Sequence, residues 1–300
     1  FTAKEFSQQT ILADGSTTIK VYYDRNFYKL ELSAGDGVTS VAGAADSVRY
    51  GTTVNVSAQL ENGYVFDKWA KGNVQKSAAN PYSFEMPAED LSLTACAIPS
   101  TSTKYIVEHY QQTLATPMLY KLVETDESQV GTTHAFTNAK ATECAGFTAL
   151  GFNQAKISGD PATPTVIKIY YDRNSYTLSL DKDENTSSVA IGGEAVLTKS
   201  FKYGEAVSIS CVPNDGYSFT SWTQTIGATT EPVSGDNPYS FTMPARDLSY
   251  KANASANSDT AYTVEHQLEK LDGSFELVAT DNLTGTTDTL TNAQARTYEG

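Results

Sequence analysis

Three groups of residues in this sequence have the types and spacing that chemistry needs. Asp181-x-Asp183-x-Asn185 places oxygen ligands at alternate positions, as a calcium loop does at its start. His109 and His266 close the matching phrases Tyr105-Ile106-Val107-Glu108-His109 and Tyr262-Thr263-Val264-Glu265-His266, where an imidazole could act as a base or a metal ligand. Arg25 and Arg173 lie in two copies of Tyr-Tyr-Asp-Arg-Asn, close to Tyr22 and Tyr170. A guanidinium and an aromatic face could there receive a stacked ligand.

Each group has a plainer reading. The acidic run lacks the rest of a calcium loop: Thr186 stands where the sixth-position glycine belongs and Gly192 where the twelfth-position glutamate belongs. The matching stretch Ser33 to Gly37 keeps only Asp36, so a solvated hairpin fits better than a metal site. Neither a second histidine nor a cysteine lies at ligand spacing from His109 or His266, which suits a core-edge or hydrogen-bonded role. His134 has Asp288 opposite it. Arg25 and Arg173, with Tyr22 and Tyr170, better suit packing at a joint between domains. Asp90 and Asp247, each after Met-Pro-Ala, are placed to cap a turn. Cys96, Cys144 and Cys211 face Asn253, Tyr298 and Ala58 in the other copy, so no disulfide belongs to the architecture; Cys211 fills an apolar strand face beside Val207 and Ile209. No Ser-His-Asp or Cys-His set can be assembled from residues that recur, so neither catalytic residues nor cofactors are expected and the chain is read as no enzyme.

The elements behind these residues are repeats. Trp69 to Trp222 is 153 residues, Met86 to Met243 157, Tyr105 to Tyr262 157 and Tyr22 to Tyr170 148. A period of roughly 155 residues exceeds the ~20–50 of solenoids, so each repeat holds one or two autonomous domains. Two unlike modules alternate. The first type, intact at 104–174, opens with the period-two strand Tyr105 to His109. A hairpin follows, marked in the other copy by Asp272-Gly273, with Ser274 to Val278 as its second strand. Thr137-Asn138-Ala139-Lys140-Ala141 predicts a short helix ended by Gly146. Thr165 to Tyr171 is then a strand with Ile167, Ile169 and Tyr171 buried and Lys168 and Tyr170 outside. The second type, at 27–98 and 175–257, shows strands and no helix. Its phrases are Asn-Gly-Tyr or Asp-Gly-Tyr leading to Trp69 or Trp222, and Asn-Pro-Tyr-Ser-Phe-x-Met-Pro-Ala-x-Asp-Leu ending at Leu91 or Leu248. The fold class that follows is α+β, dominated by β, a tandem array of small domains.

The joints between modules differ. From first to second type the strand through Arg173-Asn174 runs into Ser175 with almost no spacer, and that joint should be stiff. From second to first type the chain passes through small polar residues, 97–103 or 255–259, and that joint should bend.

With 35 acidic against 21 basic residues the chain carries −14, which disfavours nucleic acid and anionic membranes alike. No run approaches the ~20 apolar residues of a membrane span, so no membrane insertion is expected. Neither a signal peptide nor an anchor is visible.

The second module, through Tyr203-Gly204-Glu205, Asn214 to Trp222 and Phe241 to Asp247, resembles the divergent B-repeat of bacterial internalin-type surface proteins; in the first copy Thr52 follows Tyr50-Gly51. The first module resembles the mucin-binding-protein repeats of Gram-positive adhesins, through Tyr262 to His266, the Leu283-Thr284-Gly285 turn, Glu299-Gly300 and the late Tyr-Tyr strand. These resemblances imply β-grasp-like domains in elongated extracellular arrays, attached to a cell wall or cell surface. They lead to five segments: 1–26 and 261–300 as the two parts of a mucin-binding-like module, 27–98 and 175–257 as B-repeats, and 104–174 as a complete mucin-binding-like module. The function implied is a non-catalytic stalk, a spacer and adhesin. The alternative is direct binding of a host surface glycan, mucin or protein by the first-type module. Because 1–26 and 261–300 are complementary parts, head-to-tail self-association through them is a further expectation.

Overall fold

The computed structural model describes residues 1–300, and every regular element in it is a β-strand. The α+β expectation is therefore corrected to all-β. The helix expected at 137–141 does not form because side chains claim its backbone. The Gln154 amide accepts from Ala139 N at 3.0 Å and donates to Ala139 O at 2.9 Å, while Asn138 N donates to the Tyr105 hydroxyl. Gly146 is then no helix cap: its φ is +80°, and the Tyr203 ring lies where a Cβ would stand.

The chain divides into two compact units, residues 1–110, 122–141 and 151–169 in one and 111–121, 142–150 and 170–300 in the other. Each contains one second-type module, and the two modules share a topology. In the first unit a five-stranded sheet has the order Ala45–Arg49, Phe27–Ala34, Leu91–Pro99, Tyr64–Lys71, Val74–Ser77, and a three-stranded sheet the order Val38–Ala42, Thr53–Leu60, Tyr82–Glu85. In the second unit the five strands are Thr198–Lys202, Ser175–Lys182, Leu248–Ala256, Tyr217–Ile226 and Thr229–Ser234, and the three are Thr186–Ile191, Ala206–Pro213 and Tyr239–Thr242. The module's first and last strands lie side by side and parallel, from Leu30↔Leu91 to Ala34↔Ala95 and from Leu178↔Leu248 to Lys182↔Ala252. Parallel neighbours need a crossover, and here the crossover is the rest of the module.

Period-two alternation supplies the core. Leu248, Tyr250, Ala252 and Ala254 point inward from one strand and Val207, Ile209 and Cys211 from another, around a fully buried Trp222. The first copy repeats this with Leu91, Leu93, Ala95, Val56 and Trp69. Met86 and Met243, each nearly inaccessible, explain the Met-Pro-Ala phrase. The preceding Asn-Pro explains itself through the amide. Asn237 accepts from Cys211 N at 3.0 Å and donates to Cys211 O at 2.8 Å, and Asn80 does the same with Ala58 at 2.9 and 2.8 Å. Asp90 and Asp247 secure the parallel pair by accepting Lys29 N at 2.8 Å and Thr177 N at 2.7 Å.

Strands Tyr120–Asp126, Ile106–Gln112, Val166–Arg173 and Phe147–Ala149 form the sheet of the first-type module in that order. Tyr105, Val107 and His109 face its core, as do Ile167, Ile169 and Tyr171. Partial equivalents stand at the chain's two ends. Thr2–Ala3 pairs with Tyr23–Asp24 in the register in which Thr148 and Ala149 pair with Asp172 and Tyr171. Thr260–Glu269 pairs with Phe275–Gly285 around Gly273 at φ +82°.

Candidate functional site

Arg173 leaves the sheet of the first-type module and enters an aromatic cradle built by its own unit. Its guanidinium carbon lies 4.8 Å from the Phe147 ring centroid and 5.8 Å from that of Tyr203, whose rings meet edge to face at 5.7 Å. Arg173 Nη1 donates to Tyr203 O at 2.7 Å and Nε to Gln112 O at 3.1 Å. Asn174 joins the flanking backbones: its N–H donates to Gly146 O at 2.9 Å, its carbonyl accepts Tyr203 N at 2.8 Å, and its side chain accepts the Thr148 hydroxyl at 2.7 Å. Gly204 then gives room, since a Cβ there would sit 2.9 Å from Arg173 Nη1.

The other unit builds the same arrangement from distant residues of its own. Arg25 lies 5.1 Å from the Phe1 ring and 5.7 Å from Tyr50, donates to Tyr50 O at 3.0 Å, and has Gly51 beneath it. Tyr50 N donates to Asn26 O at 2.8 Å, and the Thr2 hydroxyl to Asn26 Oδ1 at 2.7 Å. The Tyr-Gly phrase of the second-type module and the Arg-Asn and Phe-Thr phrases of the first are thus one clamp. A planar guanidinium, carrying donors at its rim and stacking on its faces, is what such a cradle needs.

The tyrosines expected beside these arginines diverge. Tyr170 meets Tyr120 edge-on at 5.1 Å, and the Tyr120 hydroxyl donates to Asp172. That bond raises the Tyr120 phenol above its ordinary pKa. Tyr22 is 64 % exposed.

The acidic run does not converge on a point. Asp183 spends one oxygen on the Thr186 hydroxyl at 2.7 Å and the other on Ala254 N at 2.7 Å, Asn185 donates to Ala254 O at 3.2 Å, and Asp181 accepts Lys182 N at 2.8 Å. The geometry is that of a loop tied to its neighbouring strand.

The hydrogen-bonded role expected of the recurring histidine is seen at His266, with a partner that the sequence reading did not name. His266 Nε2 lies 2.9 Å from Asp281 Oδ2, and Arg296 closes on the same carboxylate. The hydrogen bond from His266, then that from Arg296, holds Asp281 below the usual carboxylate range. The equivalent Asp126 is lowered mainly by Ser128 and Gln129, with a smaller contribution from the charge of His109. The signal was present: Thr125-Asp126 and Thr280-Asp281 recur across the hairpin from the recurring histidine. An aspartate so placed orients the His266 imidazole.

Fold and clamps define a β-rich tandem-repeat protein with coupled modules. Residues 28–96 and 185–258 match the family described as the divergent InlB B-repeat domain, which indicates a cell-surface repeat region. Domains of this family occur in extracellular surface proteins. No curated protein matches the chain. No helix is long and apolar enough to cross a membrane.

Proposed function

We propose that the chain is a non-catalytic spacer in the repeat region of a cell-surface protein, probing its surroundings only through weak, multivalent contacts. The observation that carries this reading is the Arg173 clamp and its repetition at Arg25, because side chains with recognition chemistry are engaged in joining modules. Both tryptophans, the strongest stacking residues for a sugar, are fully buried. The module is read as β-grasp-like from the parallel pairing of its first and last strands. The 104–174 module is read as mucin-binding-like, which makes a host glycan or protein the class of partner for such contacts, and attachment to the cell wall of a Gram-positive bacterium is the setting. Small-angle scattering on proteins with one, two and three copies of 27–174 tests the spacer role. A maximum dimension rising by a constant increment supports it, and a compact globule at every length removes it. A glycan array tests the partner.

Self-association is part of the same reading. Sedimentation equilibrium should show association with rising concentration. A monomer throughout sets the idea aside.

A further inference from the structure

Two phrases that recur in the sequence, the turn ending in Gly-Tyr and the Gly-Thr-Thr turn, meet in both units. In the first, Gly63 O accepts Ser100 N at 2.7 Å and the Thr133 hydroxyl at 2.7 Å; Thr133 N donates back to Ser100 O at 2.9 Å, and the Thr103 and Thr133 hydroxyls are 2.7 Å apart. In the second, Gly216 O accepts Asn257 N at 2.8 Å and the Thr287 hydroxyl at 2.8 Å; Thr287 N donates to Asn257 O at 2.9 Å, and the Thr260 and Thr287 hydroxyls are 2.6 Å apart.

The contact tolerates little change. Gly63 and Gly216 have φ of +79° and +80°, and a Cβ would lie 2.5 Å from Gly159 Cα at the first and 2.8 Å from the Thr287 side chain at the second. The residue after the second threonine is left-handed in both copies without being glycine, His134 at φ 66° and Asp288 at φ 59°. Such a backbone persists where surrounding contacts hold it. Here the preceding module does so: the Tyr64 hydroxyl lies 3.3 Å from His134 Nδ1, and Tyr217 donates to Asp288 Oδ2 at 2.5 Å.

We infer that the Gly-Tyr turn of each second-type module is a docking surface for the Gly-Thr-Thr turn of the module that follows it, and that this contact closes the joint to bending. The small polar segment expected to act as a hinge lies between strands Leu91–Pro99 and Thr103–Lys104, and its Ser100 is part of the contact. What varies between the copies, Ser100 against Asn257 and His134 against Asp288, contributes through its backbone or meets a tyrosine hydroxyl. What is kept is glycine, threonine and tyrosine, the residues whose shape and hydroxyls make the fit. The surface therefore selects its partner: a module lacking the Gly-Thr-Thr turn could not follow a second-type module in this geometry.

Hydrogen exchange on the full 300-residue chain tests this. Ser100, Thr133, Asn257 and Thr287 amides should exchange slowly, like those of the sheet interiors. Thr133→Val should speed exchange at Ser100 and Thr133 by roughly fivefold, the effect of one net hydrogen bond, with Thr133→Ser restoring the slower rate and the 175–257 module unchanged. Free-rate exchange at these four amides in the unaltered chain, or a Thr133→Val chain indistinguishable from it, overturns the inference.

Discussion

Phe147 lies under the Arg173 guanidinium at 4.8 Å, and the residue that plays its part for Arg25 is Phe1, at 5.1 Å. Positions about 146 residues apart in sequence thus perform one task, holding the end of a first-type strand against the Tyr-Gly loop of the following module. Replacing Arg173 by Ala should destabilise the chain by about 1–3 kcal/mol, from the lost stacking and the Tyr203 and Gln112 carbonyls left with fewer donors. Arg173→Lys should recover only part of this, because an ammonium lacks the planar fork. Urea denaturation followed by tryptophan fluorescence measures both.

Ile209 and Ile226 belong to one module and should respond oppositely to truncation. Ile209 is fully buried beside Trp222, so Ile209→Ala should lose about 2–5 kcal/mol, while Ile226, 54 % exposed, should stay within about 0.5 kcal/mol of the parent. Equal effects in thermal unfolding would place the core wrongly.

Cys211 should be silent to alkylation in the folded chain. Burial first, and the nearby Asp183 charge second, push its thiol up to about 11. A raised folded value means that this contribution to stability is complete below the ordinary thiol pKa and is lost as the pH rises toward about 11. Iodoacetamide at pH ~8, near the free thiol value, should label Cys211 only after denaturant is added. Mass spectrometry of the tryptic peptide reads the outcome.

Alongside Asp14, Glu89 and Asp272, Asp126 and Asp281 contribute to the acid limb. Both carboxyls are depressed in the folded state, Asp126 chiefly by Ser128 and Asp281 chiefly by His266. Their contribution is therefore present above the unfolded carboxyl value of ~4 and is lost as the pH falls through the lower folded values. Asp281→Asn should flatten the decline in thermal midpoint between about pH 4 and pH 2 relative to the parent. An unchanged acid limb would mean that other carboxylates govern it.

The strands were legible because alternation writes them directly. Ile167, Ile169 and Tyr171 are buried and Lys168 and Tyr170 turned away, as their spacing requires. The helix at 137–141 was misread because local propensity carries no information about Gln154, whose amide replaces the bonds a helix would have made. The contact at Gly63 was hidden for a related reason. Gly-Thr-Thr and Gly-Tyr were visible as repeated phrases, but Thr133 and Gly63 are 70 positions apart and nothing local pairs them. The acidic run shows the same limit: its alternate oxygens are visible in sequence, whereas the strand amide that Asp183 accepts from, Ala254 N, is 71 positions away.

The reading that matters most is that this chain is a repeat region displayed at the cell surface. Antibody raised against residues 1–300 and applied to intact cells of the producing organism tests it most directly. The account predicts the same labelling before and after permeabilisation, and loss of the signal after brief protease treatment of intact cells. Labelling that emerges only after permeabilisation would contradict it.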